Sequence, residues 1–206
     1  MVNSRAMPKR PDVPRRIVDA ALALAASEGW ARLSLAAIAG EAGLPLLEVY
    51  RHFRSKSAIV AAFRHRVDVE TLAGAGEEGE RPRDRLFDTL MRRFEVLAPY
   101  KEGLRAITRD SVADPLAALA QGPDLVRSMA WMLEASAIRS DGWRGTARAH
   151  LLAGIYLSAM RVWLADDSPD MVKTMAALDR RLRDSERWLG LGSGGGEGGA
   201  AAVPQR

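Results

Sequence analysis

Apolar residues recur along this chain at spacings of three and four, with Pro and Gly between the periodic stretches, a pattern of helices. Period-two alternation of β-branched residues is lacking, so the fold class is all-α. The first predicted helix runs from Pro14 to Glu28, with Ile17, Ala21, Leu24 and Ala25 inward and Gly29 as a left-handed stop. Ser34 reads as the N-cap of a short helix with Leu35, Ile38 and Ala39 inward, closed by Gly43. Pro45 opens a second short helix through His52. Ser55 caps a fourth, from Lys56 to about Ala73, with Ile59, Val60, Phe63 and Val67 on one face.

Gly74–Pro82 interrupts the pattern and marks a boundary. Beyond it Leu86, Leu90, Phe94 and Leu97 form one stripe that Pro99 ends. Further helices are predicted at Lys101–Val112, Pro115–Ala120, Pro123–Ile138, Thr146–Ala165 and Pro169–Trp188, the last with Ser168 as N-cap and Pro169 and Asp170 in its first turn. Seven of the 18 Gly fall within Gly190–Gly199, which reads as a disordered tail. The expected organisation is a basic disordered arm over 1–14, a three-helix head over 15–66, a larger helical domain over 67–189 and a tail over 190–206.

A chain of 206 residues, 48% of them hydrophobic, can bury a substantial core. Without Cys it holds no disulfide, thiolate metal site or cysteine nucleophile, and three scattered His (His52, His65, His150) give no metal spacing. Met1–Arg16 followed by the apolar run Ala20–Ala26 superficially resembles a secretory leader. But Asp19 precedes the run, and its pattern continues an amphipathic helix, so the chain is read as cytoplasmic. The uncharged run Leu151–Met160 is about half of what a spanning helix needs, which argues against stable membrane insertion. No nucleophile elbow, Gly-rich phosphate loop, HExxH or catalytic pair of acids is present, so neither an enzyme nor a cofactor is expected.

Charge changes the picture more than composition does. The overall charge is +4, but residues 1–66 carry net +6 and the remainder net −2. A basic head points to a polyanion, nucleic acid or an anionic membrane surface, although a solvated basic face has the same composition. Short helices joined by Ala42-Gly43-Leu44 are the sequence form of a helix-turn-helix, with the glycine supplying the positive φ of the turn. Arg5, Lys9, Arg10, Arg15, Arg16, Arg51, Arg54 and Lys56 surround it, enough cations to hold a phosphate backbone.

Ile38-Ala39, Ala42-Gly43-Leu44 and Tyr50-Arg51-His52-Phe53-Arg54-Ser55-Lys56, within Arg16–Val67, resemble the DNA-binding domain of TetR-family transcriptional regulators. The resemblance implies a homodimer joined through its last two helices, probing palindromic double-stranded DNA with two heads and often enclosing a small molecule. It makes Ser34, Tyr50, His52 and Lys56 phosphate-positioning residues, places Arg10 and Arg15 at the backbone, and turns Leu46, Leu47, Glu48 and Arg51 toward base edges. The family usually begins this helix with Ser or Thr and further small or hydroxylated residues, whereas here it reads Pro45-Leu46-Leu47-Glu48. Leu46 and Leu47 offer apolar contacts, such as to thymine methyls, and Glu48 is repelled by phosphate unless it meets a cytosine amine.

Leu151–Tyr156, Val162–Asp170, Thr174 and Leu178–Leu182 are similar to the C-terminal domain of a lipid-binding family of ubiquinone biosynthesis that shares the TetR-type fold. That resemblance implies an isoprenoid-like ligand and, as an alternative function, a lipid-binding accessory protein with little DNA binding. Phe94, Met129, Met132, Leu133, Leu151, Ile155 and Trp163 are candidates for lining an apolar ligand pocket, with ordinary core and dimer packing as the competing role. Trp131 and Met160 belong to the same set, although Trp131 to Glu134 cannot all face one way on a helix. Asp166-Asp167 reads as loop solvation and helix capping more readily than as a cation site, and Arg180, Arg181, Arg183 and Arg187 as a solvated basic face.

Overall fold

The structure is a computed structural model and describes residues 12–74, 81–111 and 122–191. The basic arm with Arg5, Lys9 and Arg10, the centre of the Gly74–Pro82 break, the expected Pro115–Ala120 helix and most of the glycine tail lie outside the described residues. The described residues are helical without strands. They form two compact units, each discontinuous in sequence: one draws on Met1–Ala73 and Arg92–Ser128, the other on Gly74–Met91 and Met129–Arg206.

In the first unit, α1 (Val13–Glu28) starts where the Asp12 carboxylate accepts from the Arg15 N–H at 3.2 Å, and it stops at Gly29, φ 86°. It buries Ile17, Val18, Ala20, Ala21, Leu22, Leu24 and Ala25, more than one stripe, because α2, α4 and α6 all pack on it. α2 (Leu35–Glu41) begins at Ser34, whose hydroxyl oxygen accepts from the Ala37 N–H at 3.0 Å. It closes in a paired turn: Leu44 N–H donates to Ala39 O at 2.9 Å and Gly43 N–H to Gly40 O at 3.0 Å. Gly43 sits at φ 62°, where a Cβ would be strained. α3 (Leu46–His52) follows Pro45, burying Val49 while Phe53 at its end is buried as well.

α4 (Lys56–Leu72) is capped by Ser55 and buries Ile59, Phe63, Val67 and Thr71, a ladder of every fourth residue. Of the expected inward set, Leu35 and Val60 are only half-buried. α5 (Pro82–Leu97) carries the buried stripe Leu86, Leu90, Phe94 and Leu97, and a 3-10 turn at Ala98–Tyr100 leads into α6 (Lys101–Ser111). At Gly103 an added Cβ would lie 2.6 Å from Leu22 O, so α1 and α6 touch backbone to backbone there. The Arg66 guanidinium covers the Phe63 and Tyr100 rings, which meet edge to face, and donates to Asp19 at 2.8 Å. Asp68 on α4 accepts from Arg93 on α5 and, at 2.6 Å, from Ser128 on α7 (Gly122–Ala135).

The second unit is built on α8 (Gly142–Leu164) packed along α9 (Val172–Asp184), with α10 (Glu186–Leu189) against α8. Four boundaries here differ from expectation. α7 ends at Ala135, three residues early, in the same paired turn as α2 but with Ala137 rather than glycine at φ 58°. α8 begins a turn early, at Gly142: glycines are poor helix formers, but a Cβ at Gly145 would lie 2.0 Å from the Ser140 carbonyl, so packing demands one there. Ser168 is not the N-cap residue of α9, which begins at Val172 after Met171 at φ 49°. Two side chains serve its first turn: the Ser168 hydroxyl oxygen accepts from the Val172 N–H at 3.3 Å, and the Asp166 carboxylate accepts from the Thr174 N–H and hydroxyl, both at 2.9 Å, and from the Ser168 hydroxyl at 2.6 Å. The single helix expected over Pro169–Trp188 is two, broken at Ser185 and stopped at Gly190, φ 75°.

Candidate nucleic-acid interface

The sequence places α3 on the surface through one residue pattern. Val49 is fully buried, while Leu46, Leu47 and Tyr50 are each more than half exposed, and Arg51 and His52 are exposed beside them. Two large aliphatic side chains and a tyrosine left in water on one short helix are unusual unless something covers them. The turn that aims α3 is fixed from two sides. Gly43 supplies its left-handed residue, and the Arg16 guanidinium on α1 donates to Ala42 O at 2.6 Å. Arg16, counted among the phosphate-facing cations by its position, therefore clamps the turn.

Each expected contact residue has a definite environment. Ser34 accepts from Ala37 N–H through its oxygen, so its hydroxyl proton can still donate to an anion. Tyr50 lies under the Arg54 guanidinium, 5.8 Å from the ring centroid. His52 is exposed, its ring tilted against that of Phe53. Arg15 is exposed and 3.7 Å from Asp19. Arg51 and Glu48, expected at base edges, are bonded to one another at 2.5 Å, an ion pair one turn apart on α3. Arg10 lies outside the described residues.

Lys56 departs most from its expected role. Its ammonium turns inward, donating to Trp30 O at 2.8 Å and Ala31 O at 3.4 Å, and lies over the Trp30 ring. Burial pushes its pKa down, and the Asp110 carboxylate partly offsets this. Asp110, on α6, accepts from the Ala31 N–H at 2.7 Å, and this bond holds its carboxyl below the usual carboxylate range. Lys56 and Asp110 thus grip the Trp30–Ala31 loop from two sides. Neither Asp110 nor Trp30 stood out in the sequence, and a bond across 79 positions leaves no local signal.

The expected ligand-lining residues divide between the units. Met129, Met132, Leu133, Ile155 and Trp163 are buried in the second and Leu151 is half-buried there, whereas Phe94 belongs to the core of the first. Trp131 faces solvent, as the helical geometry of its neighbours requires. Asp166 is buried as a capping group. Among the described residues there is no cluster of three or more His, Asp or Glu suited to a metal ion, and no helix long and apolar enough to cross a membrane.

The comparisons with known proteins fall on the same two regions. Residues 17–63 match the model of the bacterial regulatory proteins of the tetR family, and residues 146–188 match that of COQ9. No curated protein matches the chain. Among solved structures, a TetR transcriptional regulator from Nitrosomonas europaea is similar with a TM-score of 0.70 and 24% identity, over 84% of this chain and 98% of that one. A TetR transcriptional regulator from Rhodococcus sp. RHA1 is similar with a TM-score of 0.57 and 21% identity, over 84% and 98% of the two chains. NalD of Pseudomonas aeruginosa, the secondary repressor of the MexAB-OprM multidrug efflux pump, is similar with a TM-score of 0.50 and 19% identity, over 85% and 96%. The chain thus carries a tetR-type helix-turn-helix head on the fold of TetR transcriptional regulators, with a COQ9-like segment over its last long helices.

Proposed function

We propose that the protein is a DNA-binding transcriptional regulator of TetR type, acting as a homodimeric repressor that leaves a palindromic operator when a small apolar or isoprenoid-like ligand binds. The observation that carries this reading is the outward face of α3, where Leu46, Leu47, Tyr50 and Arg51 stand exposed beyond a turn held by Gly43 and Arg16. A recognition helix must present such a face to a major groove, and a merely structural helix would bury it. Ser34, Tyr50, His52 and Arg15 would position the phosphate backbone around it. Lys56 would act indirectly, by holding the Trp30–Ala31 loop.

Dimerisation through the last helices would cover Leu157 on α8 and Val172 on α9, both exposed in the single chain. A ligand among Met129, Met132, Leu133, Leu151, Ile155 and Trp163 would release DNA only by binding better to a dimer whose heads are wrongly spaced. The COQ9-like segment over 146–188 favours a lipid as that ligand and supports a second reading, a lipid-binding accessory protein of quinone biosynthesis that binds little DNA.

Nuclease footprinting on the DNA upstream of the protein's own gene separates the two. The regulator protects a two-fold symmetric stretch, and Ser34→Ala and Tyr50→Phe weaken that protection. Absence of any protected stretch, with an isoprenoid lipid found by mass spectrometry in the purified protein, sinks the regulator in favour of the accessory protein.

A further inference from the structure

Glu48 is one of only five acids in residues 1–66, and it stands in the first turn of the helix that the proposed function turns toward DNA. Alone, a carboxylate there repels phosphate. It is not alone: Arg51 Nη1 donates to Glu48 Oε1 at 2.5 Å, with 61% of the Arg51 side chain and 31% of the Glu48 side chain exposed. The pair is net neutral, so this part of α3 gains little from a phosphate backbone. What it offers is a fixed pattern of donors and acceptor.

The pair uses one Arg51 proton and one Glu48 oxygen. A guanidinium has five N–H donors and a carboxylate two oxygens, so Nη2 and the rest of Nη1 remain for acceptors and Oε2 for a donor. A G·C pair presents two acceptors on guanine, N7 and O6, beside one donor, the cytosine N4 amine, in the major groove. An A·T pair presents N7, then an amine, then O4 and a methyl, which sets an acceptor of thymine against Glu48. We infer that Glu48 and Arg51 act as one unit that reads a G·C base pair: Arg51 donates to guanine O6 and N7, and Glu48 holds Arg51 in place and accepts from the cytosine amine. This inference rests on the DNA-binding reading and assigns the base pair that its recognition helix selects. Leu46 and Leu47, exposed at the start of α3, then border the read base pair with apolar surface.

The test is selection of half-sites from a randomised duplex pool by the full chain, followed by titration of the selected duplex at several salt concentrations. The wild type retains one G·C pair at a fixed place in each half-site, and replacing it with A·T weakens binding about 10- to 100-fold. Arg51→Ala loses the preference at that place and, by unmasking the Glu48 charge, also weakens binding to random duplex. Glu48→Gln relaxes the preference while strengthening binding to random duplex, because a negative charge has gone. Guanine replaced there by 7-deazaguanine, which lacks N7, weakens the wild type and leaves Arg51→Ala unchanged. Uniform weakening of every sequence by Arg51→Ala with the G·C preference retained makes Arg51 a phosphate contact and overturns the inference alone. Failure of the wild type to select any sequence overturns it together with the regulator reading.

Discussion

Replacing Arg93 with Met strands a carboxylate. Only 3% of the Arg93 side chain and 16% of the Asp68 side chain is exposed, and Ser128 supplies the second hydrogen bond to Asp68. Breaking a buried ion pair by removing one partner costs about 3–5 kcal/mol, because the remaining charge loses its counter-ion without regaining water. Asp68 keeps the Ser128 hydroxyl and a little solvent, so the expected loss for Arg93→Met is at the low end, about 3 kcal/mol. Replacing both groups, as Arg93→Met with Asp68→Leu, removes the stranded charge and brings stability back to within about 1 kcal/mol of the parent. The assay is urea unfolding of the full chain followed by circular dichroism, at one fixed protein concentration because the proposed dimer would contribute to stability. An unchanged m-value with a shifted midpoint identifies the effect as stability. A loss below about 1 kcal/mol for the single variant, or a double variant as unstable as the two singles summed, refutes the reasoning that this triad pins α4 to α5 and α7.

Three further outcomes follow from the same geometry. Ala137→Gly relieves a non-glycine residue at φ 58° and stabilises the chain by up to about 1 kcal/mol, read as a rise in thermal midpoint; a fall shows that the Ala137 methyl packs usefully. Gly43→Ala puts a Cβ at φ 62° and 3.4 Å from an Arg16 guanidinium nitrogen; it costs about 1–2 kcal/mol and, by tilting α3, weakens DNA binding further than the stability loss explains. Unchanged DNA binding by a folded Gly43→Ala shows that the turn does not aim α3. The Ser168 hydroxyl, foremost among its hydrogen-bond donors, holds the Asp166 carboxyl well below the usual range, so its stabilisation is complete above about pH 4, the unfolded value. That contribution is lost as pH falls through the lower folded value. Melting temperatures of Asp166→Asn should therefore lie furthest below the wild type near neutrality and approach it in acid, and a constant gap from pH 7 to pH 2 contradicts the assignment.

The helices of the head were legible because their ends carry local signals, Ser34 and Ser55 as caps and Gly29 and Gly43 as stops, and because they bury residues every third or fourth position. Ile17, Ile38, Val49, Ile59 and Phe63 report that geometry directly. The end of the chain was less legible for a physical reason. Ser168-Pro169-Asp170 has the composition of a helix start, yet the helix begins only at Val172, whose N–H the Ser168 hydroxyl accepts, and a second cap comes from Asp166, eight residues ahead of the Thr174 N–H. Ala137 is invisible as a helix stop, since only Gly and Asn advertise a left-handed residue. At the interface the residue types were readable and their partners were not. Arg16 reaches Ala42 across 26 positions and Lys56 reaches Trp30 across the same span, so two cations that composition assigns to phosphate are held by the protein itself. Glu48 and Arg51, three apart on one helix, have the spacing of an ion pair, yet each reads from the sequence as a separate base contact.

The central claim is that the α3 face reads DNA. Fluorescence anisotropy of the full chain with its own upstream duplex, against a shuffled duplex of equal composition and across a salt series, tests it most directly. The account predicts that both affinities fall steeply with salt while the upstream duplex stays at least a thousand-fold preferred, of the order seen for specific over non-specific sites. It also predicts that Leu47→Asp erases the preference without unfolding the chain. Equal affinity for the two duplexes at every salt concentration, or a preference that survives Leu47→Asp, contradicts it.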